Sequence, residues 1–328
     1  MNNDNICLLS LICSCVEPKA ELVNLCTIKV KSSACVCTPK CISEIAGIVS
    51  ICKELKLPIF VLGNGSKVVF TEKFCGVVIS TSKFDNIKIA DKISEDTVKI
   101  FCGAGVKLSK INELCAKNNL SGLEWSFGIP ATIGGATYMN AGAFGGEFAN
   151  VVQSVIVYEN GRIKKYKKDE LNFSYRYSSF QKSTGIILEV ELLLHKGQNI
   201  FKQQLNFLNQ RKNTQPLNVP SCGSVFKKQQ DFIPAKCIDK LGLKSVKIGG
   251  AEISAKHAGF IVNSANAKGS DVLELARFAR KKIFEATGNI VDTEIVFVGK
   301  NGKMRDKQVF PAGDYNDNFR GLSHPHKI

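Results

Sequence analysis

Residues 122–147, GLEWSFGIPATIGGATYMNAGAFGGE, constrain this chain more than any other stretch, because they hold seven glycines. Glycine allows positive φ and a close approach of backbone to a ligand. Successive N–H groups in such a loop form a concavity that suits phosphate oxygens. Pro130 fixes one φ and stiffens the loop. The small residues around Asn140, with Ala141 and Gly142, offer a surface for a flat ring, and the Asn140 amide offers a donor and an acceptor. A chain of tight turns is the alternative. Glycine, proline and small residues persist through the whole stretch, which favours a cofactor cradle. The G-x-G-x-x-G spacing of a dinucleotide fold is absent.

A second glycine loop, Gly63-Asn64-Gly65-Ser66, follows the apolar run 59–62. That run reads as a buried strand after a helix over 43–55, with Ser43 as its cap. A loop placed so can hold a pyrophosphate. Strands are expected over 77–80 and 98–102, and a helix over 108–118. A hairpin joins 151–157 to 162–166 around Asn160-Gly161. A strong strand covers 187–194, and a partly helical polar stretch covers 197–215. A capped helix starts at Ser270 and ends at Gly288. The last strand is expected over 290–298, with Glu294 inside it. The expected division is a helical segment (1–19), a first domain (20–197), a second (205–299) and a flexible polar extension (300–328).

The chain has 328 residues, a formal net charge of +15 and 13 cysteines. The charge favours anionic partners, either a diphosphate substrate or a phosphate-bearing cofactor. Lysines dispersed over solvated faces explain it somewhat better. The dense run Lys164-Lys165-Tyr166-Lys167-Lys168 reads as an exposed sheet edge. Eight cysteines lie in the first 52 residues without a C-x-x-C pair or a nearby histidine, so no metal site is expected. Reduced thiols point to a cytoplasmic protein. The apolar run 6–16 is too short to span a bilayer, so membrane insertion is not expected.

Three side chains stand out chemically. Arg176 lies between two tyrosines and matches a carboxylate in a forked geometry; a surface ion pair is the alternative. Glu294 is a charge among apolar residues and needs a partner or a task. Ser224 sits in Gly223-Ser224-Val225-Phe226-Lys227, which also fits S-x-x-K. The companion K-T-G is missing, so acyl transfer is disfavoured; a proton donor or a turn serine remains.

These segments, with Tyr175-Arg176-Tyr177-Ser178 and Val291-Asp292-Thr293-Glu294-Ile295, resemble the UDP-N-acetylenolpyruvoylglucosamine reductases. The resemblance runs from about residue 27 to 299. It implies an α/β (α+β) architecture: a two-lobed FAD-binding domain of the vanillyl-alcohol-oxidase (PCMH) type, followed by an α+β substrate-binding domain. It implies non-covalent FAD, held by Gly63, Asn64, Gly65, Ser66, Gly128, Pro130, Gly134, Gly135, Asn140, Ala141 and Gly142. NADPH is the implied hydride donor and a UDP-sugar the implied substrate. Ser224 is then the general acid, with Arg176 and Glu294 stabilising an enol. Tyr175, Gln215, Lys227 and Lys228 are the implied substrate contacts. Ser224 follows Arg176 by 48 positions, which implies the short-loop form of the family. The chain departs from the family in Thr27-Ile28-Lys29-Val30-Lys31-Ser32-Ser33-Ala34, where Lys31-Ser32 replace the Gly-Gly of the family's Ile-Gly-Gly-Pro-Ala. A monomer without nucleic acid is expected. Other FAD-dependent oxidases, and a basic nucleic-acid-binding protein without flavin, are the competing readings.

Overall fold

A computed structural model describes residues 3–90, 96–304 and 309–310. Its first lobe is a four-stranded sheet in the order Val16–Glu21, Ser33–Cys37, Val77–Ser80, Ile59–Leu62. The first pair is antiparallel and the other two pairs are parallel. Val77–Ser80 is buried throughout, as a central parallel strand must be. The helices Asn3–Ile12 and Ile42–Glu54 cover one face, and Leu9, Ile45, Ile48 and Cys52 fill the space beneath them. Ser43 is not the cap of the second helix. Cys41 holds that position, without a side-chain cap bond, and Ser43 lies one residue inside the helix.

The second lobe is a larger antiparallel sheet, ordered Arg162–Lys167, Val152–Glu159, Ile186–Lys196, Thr97–Gly103, Ile87–Ile89. The short strand Leu120–Ser121 pairs with the end of Ile186–Lys196. The hairpin turns at Asn160 and Gly161, with φ of 53° and 77°. Two positive φ angles in a two-residue loop match the twist of the flanking strands. The lysine-rich strand Arg162–Lys167 is the sheet edge, as expected. Lys164 pairs there with Glu159 and Lys165 with Glu191. The helices Leu108–Asn118 and Ile133–Tyr138 lie against this lobe, and Ile111, Cys115, Ile133 and Ala136 enter its core.

The third unit pairs Ser221–Ser224, Phe260–Asn263, Ala251–Ile253 and Lys247–Ile248 in that order. The helices Pro234–Lys240 and Gly269–Thr287 accompany it. Gly288 closes the longer helix at φ 71°. The last strand, Val296–Gly299, is shorter than expected. It runs parallel to Val68–Phe70 of the first lobe, and one hydrophobic core joins Val69 and Phe70 to Phe297 and Val298. Glu294 therefore lies outside the strand, two residues before it. Of the expected polar extension, residues 305–308 and 311–328 lie outside the described residues. Gly302–Lys303 pairs with Val296–Gly299, and Val309 is buried. Among the described residues no helix is long and apolar enough to cross a membrane.

Candidate active site

The two glycine loops meet. Asn64 Nδ2 donates to the Pro130 carbonyl at 2.8 Å, and Ser66 Oγ donates to the same oxygen. A Cβ on Gly63 would lie 2.5 Å from Thr132 Oγ1, and one on Gly134 would lie 2.8 Å from the Ala104 Cβ. Thr132 caps the helix Ile133–Tyr138 by accepting from the Gly135 N–H at 3.3 Å. Gly128 holds φ at 83°. The glycines thus let backbones of both lobes approach where side chains would separate them. A cleft of about 290 Å³ opens beside these loops, with Gly63, Asn64, Gly105, Lys107, Lys110 and Thr132 in its wall. Asp85 and Glu113 also line the cleft, and Asp85 holds Lys110, so the features that suit a pyrophosphate are the backbone amides, the helix start and Lys107. The Asn64 and Ser66 side chains are engaged by the Pro130 carbonyl and tie the two loops together.

Gly65 shows how little freedom the cradle has. It sits at φ 60°, and a Cβ would lie 2.2 Å from the Leu25 carbonyl oxygen. Left-handed backbone alone costs an alanine about 1–2 kcal/mol. If the cradle holds the FAD that the sequence resemblance implies, Gly65→Ala lowers the melting temperature and the FAD content of the purified protein together. Full flavin content in this variant would show that the loop does not shape the cofactor site.

Asn140 corrects the sequence reading. It is fully buried at φ 40°. Its Nδ2 donates to Glu147 Oε2 (3.1 Å) and the Ser174 carbonyl (2.9 Å), and its Oδ1 accepts from Ala149 N–H (2.9 Å). The amide is engaged inside the protein and is not offered to a ring. It anchors the turn that presents Ala141 and Gly142. The Gly142 carbonyl accepts from Arg176 Nη2 at 2.7 Å.

Arg176 joins the cradle to the third unit. It sits at φ 55°, in a tight reversal where Ser174 and Tyr177 exchange two backbone hydrogen bonds. Gln181 Nε2 holds its carbonyl at 2.9 Å. The guanidinium Nε lies 3.1 Å from Glu294 Oε1, and Lys67 Nζ lies 2.9 Å from the same oxygen. The Glu294 side chain is only 6% exposed. Burial pushes its carboxyl up, but Lys67 and then Arg176 outweigh this and hold it below its ordinary value. Glu294 N–H donates to the Val225 carbonyl at 2.7 Å, which places the carboxylate beside Ser224. Lys67 Nζ also donates to the Ser224 carbonyl at 2.9 Å. Gly223, at φ 70°, makes the bend before the serine.

The structure therefore brings Arg176, Ser224 and Glu294 together from segments far apart in sequence. Sequence reasoning missed Lys67. The available signal was its place, directly after the Gly63–Ser66 loop and ahead of an apolar run. Tyr175 stacks under the Arg176 guanidinium at 4.9 Å, and its hydroxyl accepts from Lys228 N–H at 3.4 Å. Lys227 is tied through its N–H to the Asp292 carbonyl at 2.8 Å. Gln215 is placed elsewhere: it lines a cavity of about 490 Å³ with Lys212, Ser254 and Lys256, and none of the three central residues does. Lys29, two residues before Lys31-Ser32, takes a left-handed φ of 53°. Asn263 Nδ2 donates to the carbonyls of Ile28 and Lys29 and fixes that turn. Between Arg176 and Ser224 lie the 3₁₀ turn Ser179–Lys182, the strand Ile186–Lys196 and the helix Ile200–Thr214, with no separate subdomain.

Residues 33–167 match a family described as FAD binding domain, and residues 215–298 match one described as UDP-N-acetylenolpyruvoylglucosamine reductase, C-terminal domain. The chain is 37% identical over 270 residues to the UDP-N-acetylenolpyruvoylglucosamine reductase of Clostridium novyi, covering 81% of this chain and 86% of that protein. Against the protein of the same name from Syntrophomonas wolfei, identity is 39% over 267 residues, covering 80% and 87% of the two chains. A crystal structure of UDP-N-acetylenolpyruvylglucosamine reductase (MurB) from Thermus caldophilus superposes with a TM-score of 0.73. It is 32% identical and covers 86% of this chain and 98% of that one.

Proposed function

The chain belongs to the UDP-N-acetylenolpyruvoylglucosamine reductase family, and from that premise we propose how its residues divide the chemistry. It is an FAD-dependent oxidoreductase of peptidoglycan precursor synthesis. It reduces UDP-N-acetyl-3-O-(1-carboxyvinyl)-glucosamine to UDP-N-acetylmuramate with NADPH. Bound FAD supplies the hydride relay from NADPH to the enolpyruvyl group. The observation that carries the residue assignment is the meeting of Arg176, Lys67 and Glu294 beside Ser224.

Hydride addition at the terminal carbon of the enolpyruvyl ether sends negative charge onto the substrate carboxylate as an enolate. Arg176, poised between Gly142 and Glu294, stabilises that charge as it develops. Glu294 orients the guanidinium. Ser224 then gives its proton to the adjacent carbon. Tyr175, Lys227 and Lys228, on one side of this group, are the proposed substrate contacts, and the lysines suit its diphosphate. Gln215 would meet a more distant part of the substrate. Residues 20–197 hold FAD in this reading, and residues 205–299 hold most of the substrate. The protein acts as a cytoplasmic monomer without nucleic acid. Its 13 free cysteines suit a reducing compartment.

The cradle contains no histidine for a covalent flavin link. Acid precipitation of purified protein is therefore expected to leave a yellow supernatant. A colourless supernatant over a yellow pellet would contradict non-covalent binding. A colourless protein that takes up no added FAD would contradict the cofactor assignment itself.

A further inference from the structure

Lys67 has no part in the chemistry just described, yet it makes two contacts at the centre of the site. Its Nζ lies 2.9 Å from Glu294 Oε1 and 2.9 Å from the Ser224 carbonyl oxygen. Its own carbonyl accepts from Val296 N–H at 2.7 Å, two residues past Glu294. Both ends of the lysine are thus fixed to the segment that carries the carboxylate. Gly223 leaves the room for it: a Cβ there would lie 2.9 Å from Nζ.

We propose that Lys67 is a positioning residue of the reductase site, whose ammonium keeps Glu294 a carboxylate and ties the Ser224 backbone to it. This rests on the roles given above to Arg176, Ser224 and Glu294. One carboxylate oxygen receives both cations, and Arg176 also reaches Gly142. Two cations and one anion leave a net positive charge where the substrate brings its own carboxylate. Neutralising Lys67 removes that surplus. It also sets burial of Glu294 against Arg176 alone. Charges interact more strongly where water is scarce, and Glu294 is 6% exposed. The Cys222 thiol, pushed up to about 11 by burial, also interacts electrostatically with Glu294. It stays neutral at physiological pH and does not replace the ammonium.

The sign of the pH effect follows. A carboxyl held below its ordinary value of 4.5 adds stability above that value and loses it as pH falls through the lower folded pKa. An opposite charge at this distance favours the ionised carboxylate. In Lys67→Met, Glu294 should take up its proton at higher pH. The melting temperature deficit of Lys67→Met against the native chain should be largest at pH 7. It should shrink on acidification, because a neutral carboxyl has no need of the ammonium. In holoenzyme, the acid limb of kcat/KM for the enolpyruvyl substrate should move to higher pH. The pH 7 rate should fall toward the roughly 10²-fold loss typical of one missing oxyanion donor. Lys67→Arg should restore both readings.

A Lys67→Met enzyme with the native acid limb and a pH-independent melting deficit would overturn the proposal. If Lys67→Met does not fold, Lys67→Met with Glu294→Gln decides. Recovery of folded, flavin-binding protein supports the pairing. A double variant as unstable as the single one places the role of Lys67 elsewhere and overturns the proposal. A native chain that does not turn over the enolpyruvyl substrate refutes the parent reading, without recourse to any variant, and this proposal falls with it.

Discussion

Ser224→Ala is expected to slow reduction of the enolpyruvyl substrate about 10²–10⁴-fold, the usual worth of general acid catalysis. A serine hydroxyl is a poor acid in water. It serves only where the enolate is strongly basic and water is kept out. Ser224 is half-buried between the buried residues Cys222 and Val225. Its backbone is held by Lys67. Among the described residues, none hydrogen-bonds its hydroxyl. Single-turnover consumption of NADPH without the enolpyruvyl substrate needs no proton from Ser224 and should change far less. Ser224→Cys should keep more activity than alanine, since a thiol also donates. Stopped-flow measurement of the two stages separates the cases. Equal losses in both, or no loss in the second, would show that the assigned role is wrong.

Arg176→Met should cost about 10²–10³-fold in turnover, in line with removal of one preorganised oxyanion stabiliser. Three contacts disappear with the guanidinium: the Gly142 carbonyl at 2.7 Å, Glu294 Oε1 at 3.1 Å and the Tyr175 ring at 4.9 Å. Glu294 then keeps Lys67 alone against burial, so its pKa rises and the acid limb of the rate profile moves up. Arg176→Lys should rescue little, because one ammonium cannot reach Gly142 and Glu294 in a fork. Full activity in the lysine variant would show that charge alone matters and that the fork does not. Flavin content measured beside the kinetics separates a lost catalyst from a collapsed cradle.

Local patterns were the part of the fold that sequence made legible. Asn160-Gly161 announced a hairpin because few dipeptides accept two positive φ angles. The helix Leu108–Asn118 appears with the expected limits, since its apolar spacing and flanking turns agree. The glycine run 122–147 announced a site where backbone must pass close to something, and both lobes do close there. Long-range pairing was not legible. The parallel contact of Val296–Gly299 with Val68–Phe70 joins positions more than two hundred residues apart, and no local period encodes it. The same pairing brings Lys67 to Glu294, so the missed residue and the overlong last strand have one cause. Asn140 was misread because a buried amide and a ligand-facing amide look alike among glycines. Lys29 shows that tertiary hydrogen bonds, here from Asn263, can hold a lysine in backbone that glycine would favour.

The most direct test mixes purified protein with NADPH and UDP-N-acetylenolpyruvoylglucosamine and follows both reactants. NADPH should be consumed only when the enolpyruvyl sugar is present beyond the first turnover. Each molecule consumed should yield one UDP-N-acetylmuramate, identified by its gain of two hydrogens. Sustained NADPH consumption without that product, or no consumption by flavin-loaded protein, would contradict the assignment of this chain as the reductase.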